Sequence, residues 1–160
     1  MAKARPVPVT AEMPFREAAK ATLAVRGPEM LSYRDGALRG DDIEDLHSLR
    51  VSTRRLRAVL EVYGECFPPK RHRAVLGLVK ETADALSPAR DLDVQIAFLE
   101  RFLRELPTED GAGVRDLVAW LRTERHRADG QIAPALRRLD EERFLEQVGK
   151  LVGRDLADET

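Results

Sequence analysis

The chain has 160 residues, 43% of them hydrophobic, which suits one domain with a real core. With 34% charged residues, 5% aromatics and a formal net charge of -1, it lacks the overall positive balance of a dedicated nucleic-acid-binding module. The single cysteine, Cys66, excludes an internal disulfide and a cysteine-pair metal site.

Residues 1–12 read as a flexible arm, punctuated by Pro6 and Pro8. They hold no continuous apolar stretch, so neither a signal peptide nor a membrane span is supported and cytoplasmic residence is expected. Residues 13–160 form the globular part. A first helix is expected from Met13 to Arg39, with Phe15, Ala18, Ala19, Leu23, Met30 and Leu31 inward and a kink at Gly27-Pro28. The acidic run Asp41-Asp42-Ile43-Glu44-Asp45 reads as the start of a second helix, where carboxylates meet the positive end of the helix dipole.

That second helix, expected to stop near Cys66 ahead of Pro68-Pro69, carries the run His47-Ser48-Leu49-Arg50-Val51-Ser52-Thr53-Arg54-Arg55-Leu56-Arg57. At about 100° per residue, Arg50, Arg54 and Arg57 lie roughly 60°, 20° and 80° to one side of His47, in one stripe. Arg55 lies about 80° the other way. Leu49, Leu56, Leu60 and Tyr63 gather on the far side as a core-facing set.

A third helix is expected from Pro69 to Leu86, opening with Lys70-Arg71-His72-Arg73 and ending at Ser87-Pro88. A fourth is expected from Asp91 to Leu106, with Asp91 as N-cap or first-turn charge and Val94, Ile96, Leu99, Phe102 and Leu103 at mostly helical spacings, closed by Pro107-Thr108. A fifth begins near Glu109 with Val114, Leu117, Val118, Trp120 and Leu121 as its stripe, and Gly130 and Pro134 leave its later course open. Phe144, Leu145, Val148 and Leu151 mark a last helix. No strand-like alternation competes, so the expected fold is all-α, an antiparallel bundle of about five to six helices.

Charge is segregated along the sequence. From His47 to Arg73 there are seven Lys or Arg against two acids, Glu61 and Glu65. One reading is a solvated helix face paired with acids of a neighbouring helix. The other is a binding surface: Arg50, Arg54, Arg55 and Arg57 have no acid among them, and their mutual repulsion favours an anionic partner. The stripe spans about 15 Å, long enough to follow successive phosphates, and guanidinium forks suit phosphate oxygens. Lys70, Arg71 and Arg73 put positive charge at a helix start, against the dipole, where an external anion would relieve it. His47 has no nucleophile partner and no second histidine at short helical spacing, so neither a catalytic nor a metal site is assigned and no cofactor is expected.

The His47 to Arg57 run, followed by Val79-Lys80 and by Leu86-Ser87-Pro88-Ala89-Arg90-Asp91-Leu92-Asp93-Val94, resembles the conserved histidine α-helical domain, or CHAD, family. The resemblance implies a helical bundle with a basic surface that binds inorganic polyphosphate without catalysis, often at polyphosphate granules. By position, it carries over to His47 as the family's histidine, to Arg50, Arg54 and Arg57 beside it, to Lys80, and to Arg90 before the aspartate. Arg55, Lys70, Arg71 and Arg73 fit the chemistry without an aligned motif position. Ser87 stands where the family usually has glycine. The full domain has two bundles, and this chain resembles the first, so a homodimer that completes the groove around the polyanion is a further expectation. Two alternatives stay open, a nucleic-acid-binding helical module and a metal-dependent phosphohydrolase using His47 with the acids at 41–45.

Overall fold

The computed structural model describes residues 3–39, 43–107 and 109–156. Among them the chain forms six α-helices and no strand: α1 (Phe15–Leu31), α2 (Arg34–Arg39), α3 (Ile43–Val62), α4 (Pro69–Leu103), α5 (Ala112–Arg138) and α6 (Glu141–Val152). The all-α bundle expected from the periodicity is the fold. Asp41, Asp42 and Thr108, invoked above as helix-start and helix-stop signals, lie outside the described residues.

α3 runs through the middle, packed between α1 and α4, and α6 closes the bundle against α1 and α4. Leu49, Leu56 and Leu60 are fully buried on α3, and the buried hydroxyls of Ser52 and Thr53 donate back to the Leu49 carbonyl at 2.8 and 2.7 Å. These two buried hydroxyls are thereby paired within the helix, which lets polar residues sit on its inner face. Gly27 permits the close approach of α1 and α6, since a Cβ there would stand 3.1 Å from Val148 Cγ1. Asp140 caps α6 by accepting from the Arg143 N–H at 2.7 Å, and Gly153, at φ 79°, ends it in the left-handed conformation.

Several boundaries differ from the sequence reading. The break in the first helix falls at Ser32–Tyr33, not at Gly27-Pro28: Pro28 stays inside α1, and the Ser32 and Tyr33 N–H groups bond to Pro28 and Met30 carbonyls as the chain turns into α2. α3 stops at Val62, and a 3-10 turn at Gly64–Cys66 leads to Pro68. The His72 ring then donates from Nε2 to the Leu60 carbonyl at 2.8 Å, tying the start of α4 to the end of α3.

The largest correction concerns Ser87-Pro88. The expected third and fourth helices are one 35-residue helix, α4, with Pro88 inside it. Proline removes one backbone donor at a cost of about 3 kcal/mol. Leu86 and Ala89 are 1% and 0% exposed on either side of it, and their burial holds the helix through the break. Asp91 is consequently an exposed residue within a helix and caps nothing.

α5 returns antiparallel along α4, and the two make the most extensive helix pair. The continuous core reaches Ala89 on α4 and Ala128 on α5. Beyond it the two helices are less fully covered, and Val94, Phe102, Leu117 and Trp120, which carry the apolar spacing, are exposed. Phe15 is likewise 60% exposed, its ring resting 4.8 Å from that of Tyr63. Among the described residues no helix is long and apolar enough to cross a membrane.

Candidate anion-binding groove

The first half of α3 and the second half of α4 enclose a cavity of about 300 Å³. His47 and Arg50 enter it from α3, Arg90 and Asp93 from α4, above a floor that includes Leu46, Leu86 and Ile96. The continuity of α4 through Pro88 places Arg90 and Asp93 on the same rigid rod as the core residues. Arg50 Nη1 is buried and has no hydrogen-bond acceptor among the described residues. Burial pulls this guanidinium below its ordinary value; Asp91 raises it, Arg90 and Arg54 lower it further, and Asp93 raises it. Arg50 stays charged near neutrality, but it does so among other cations and partly out of water, a state that an entering anion relieves.

The stripe continues toward the end of α3. Arg54 is exposed one turn on. Arg57 Nε donates to Glu61 Oε1 at 2.9 Å, a bond that raises the guanidinium and, with the charge of Lys80 added, lowers the Glu61 carboxylate. Asp84 also acts on Arg57. Facing partners thus run in reverse order along α4, as antiparallel helices require: Arg90, Asp91 and Asp93 near Arg50, Asp84 near Arg57, Lys80 near Glu61. Because the Arg57–Glu61 pair is solvent-exposed, an anion can take Arg57 from it. Glu61→Gln is expected to tighten polyanion binding about two- to threefold at low salt, measured by calorimetric titration.

The structure brings His47, Arg50 and Arg90 into one cavity and sets Arg54, Arg57 and Lys80 along its continuation. It does not bring the remaining cations there. Arg55, on the other side of α3 as its helical angle dictates, has Nη1 3.9 Å from Oε1 of the fully buried Glu29 on α1. Lys70, Arg71 and Arg73 are exposed at the start of α4, and Arg71 Nη1 donates to the Lys150 carbonyl of α6 at 3.4 Å. His126 is a surface histidine, 94% exposed.

Two arginines of α5 escaped the sequence reading. Arg125 Nε donates to Asp93 Oδ1 at 2.7 Å, and Arg122 Nη2 to Glu100 Oε1 at 2.6 Å. Both carboxylates line the cavity. Asp93 and Glu100 are seven apart, hence on one face of a helix, and that spacing signals a shared partner only once α4 is read as unbroken.

The family model described as CHAD domain matches residues 21–160. Two curated relatives come from Mycobacterium tuberculosis. The uncharacterized protein Rv2226, from strain ATCC 25618 / H37Rv, is 37% identical over 78 residues, or 49% of this chain. The uncharacterized protein MT2285, from strain CDC 1551 / Oshkosh, is 36% identical over 78 residues, again 49% of the chain. Each match spans 15% of the relative's own length.

Proposed function

The chain belongs to the CHAD domain family, and from that premise we propose that it binds inorganic polyphosphate, without catalysis, along the α3–α4 groove. His47, Arg50, Arg54, Arg57, Lys80 and Arg90 are the contacts. The observation that carries the reading is Arg50: it lines a cavity shared with His47 and Arg90, and its buried Nη1 lacks an acceptor among the described residues. A buried donor without a partner is costly, and a phosphate oxygen is the acceptor best matched to a guanidinium. Membership of a family associated with polyphosphate supports the same ligand.

The spread of the cations favours a polymer over a single phosphate. Lys80 lies about 15 Å along α4 from Arg90, and Lys70 and Arg73 about 25–30 Å. A chain that runs the groove spans Arg90 to Lys80, and only one that continues past the groove along α4 reaches Lys70 and Arg73. Among the described residues no group of three or more His, Cys, Asp or Glu is placed to hold a metal ion, and Asp41 and Asp42, which the phosphohydrolase reading invokes, lie outside them.

Competition at fixed salt separates polyphosphate from nucleic acid. Polyphosphate is expected to displace labelled single-stranded DNA from the protein at sub-stoichiometric phosphate equivalents, while an excess of DNA fails to displace polyphosphate; the reverse order would favour the nucleic-acid reading. His47 lines the same cavity, and His47→Gln is expected to weaken binding a few-fold, roughly the loss of one hydrogen bond, in a calorimetric titration; unchanged affinity would remove the ring from the site.

A further inference from the structure

A polyanion groove with carboxylates in its wall presents a difficulty. Asp93 lines the same cavity as His47, Arg50 and Arg90, and its charge acts on Arg50. Left to itself, a part-buried carboxylate here would repel phosphate and would pair with the arginines meant to bind it. Its nearest strong partner, however, comes from neither groove helix. Arg125 of α5 holds Asp93 Oδ1 through Nε at 2.7 Å, with the two side chains 14% and 24% exposed.

Arg125 is itself fixed from behind by Asp129, one turn along α5, so its fork bridges two carboxylates on two helices. Burial pushes the guanidinium down, but the hydrogen bonds to Asp129 and Asp93 and their charges leave it above its ordinary value. It is a permanent cation. The Arg122–Glu100 pair repeats the arrangement one turn closer to the start of α5, with Arg122 65% exposed and therefore weaker.

We infer that Arg125 is a positioning residue of the groove: by engaging Asp93 from outside, it keeps that carboxylate off Arg50 and Arg90 and leaves their guanidinium groups for an anionic chain. The inference rests on the polyphosphate reading. It also gives α5 a part in recognition that its distance in sequence from the basic stripe conceals.

The test is calorimetric titration with polyphosphate of defined length at low salt, on the wild type and four variants. Arg125→Gln is expected to bind roughly tenfold more weakly, the order expected when a part-buried carboxylate is left beside a bound anion. Asp93→Asn binds at least as tightly as the wild type, and adding it to Arg125→Gln restores affinity to within about twofold of Asp93→Asn alone. Glu142→Gln, the same charge change on α6, restores nothing when added to Arg125→Gln. Damage to packing alone would not be rescued by Asp93→Asn. The inference is overturned if Arg125→Gln binds as the wild type does, if the double variant stays as weak as Arg125→Gln, or if Glu142→Gln rescues equally. A wild type that binds no polyphosphate overturns the functional reading and this inference with it, a result distinct from the other three.

Discussion

Replacing Arg50 and Arg54 together by alanine is expected to weaken polyphosphate binding about a hundredfold while leaving the bundle folded. Each charge-assisted hydrogen bond to phosphate contributes about 1.5–3 kcal/mol, so the loss of two amounts to about 3 kcal/mol at the lower end. The fold has little stake in either charge. Arg54 is exposed, and Arg50 Nη1 makes no hydrogen bond to an acceptor among the described residues. Arg50 feels Arg90 and Arg54 as well as Asp91 and Asp93, so the repulsion relieved by its removal offsets part of the attraction lost. Only the aliphatic stem of Arg50 is lost from packing. Titration calorimetry reads the affinity and circular dichroism the helix content. With two phosphate contacts gone, the slope of log affinity against log salt is also expected to shrink by roughly 1.5–2. Arg127→Ala on α5, which removes an exposed cation paired to Glu124, serves as the control and leaves affinity within about twofold.

Arg26→Ala is expected to lower stability by about 3 kcal/mol, because it leaves Glu29 charged and buried with its best partner gone. Glu29 is 0% exposed. Its Oε2 accepts from Arg26 Nη1 at 2.5 Å, its Oε1 accepts from the Arg5 N–H at 2.8 Å, and Arg55 stands 3.9 Å away. Arg26 also donates to the Arg5 carbonyl at 3.0 Å, so one side chain holds both the buried carboxylate and the N-terminal segment. Thermal unfolding should show a Tm lower by about 6–12 °C, the scale for a domain of this size. Replacing the pair by Arg26→Met with Glu29→Leu should recover part of the loss, since the buried carboxylate goes with its partner while the Arg5 N–H and Arg55 give up their contact with it. An unchanged Tm in Arg26→Ala would show that the remaining contacts satisfy Glu29 on their own.

These two expectations divide the cations of α3 into two groups, and the division was partly legible in the sequence. Helical period alone put Arg50, Arg54 and Arg57 on one side with His47 and turned Arg55 about 80° the other way. What Arg55 meets, a carboxylate 26 positions earlier on α1, has no local signature. The all-α fold was legible for the same reason as the stripe: repeated apolar spacing is a property of short windows.

Local stop signals were less dependable. Ser87-Pro88 carries a strong preference for ending a helix, and tertiary burial of Leu86 and Ala89 overrode it. That single misreading concealed several features at once. It assigned Asp91 a capping role it does not have, and it hid the face shared by Asp93 and Glu100 and, through that face, Arg122 and Arg125 of α5. The break after Leu31 went unread for the opposite reason, since nothing at Ser32-Tyr33 marks it as strongly as Gly27-Pro28 four residues earlier.

The central claim, that the α3–α4 groove holds an inorganic polyphosphate chain by its charge, is tested most directly by titrating the protein with polyphosphate of defined length across a range of salt. The expected result is saturable binding whose log affinity falls linearly with log salt, with a slope of about -3 or steeper, the mark of several neutralised phosphates. Absence of binding at low salt, or an affinity indifferent to salt, would contradict it.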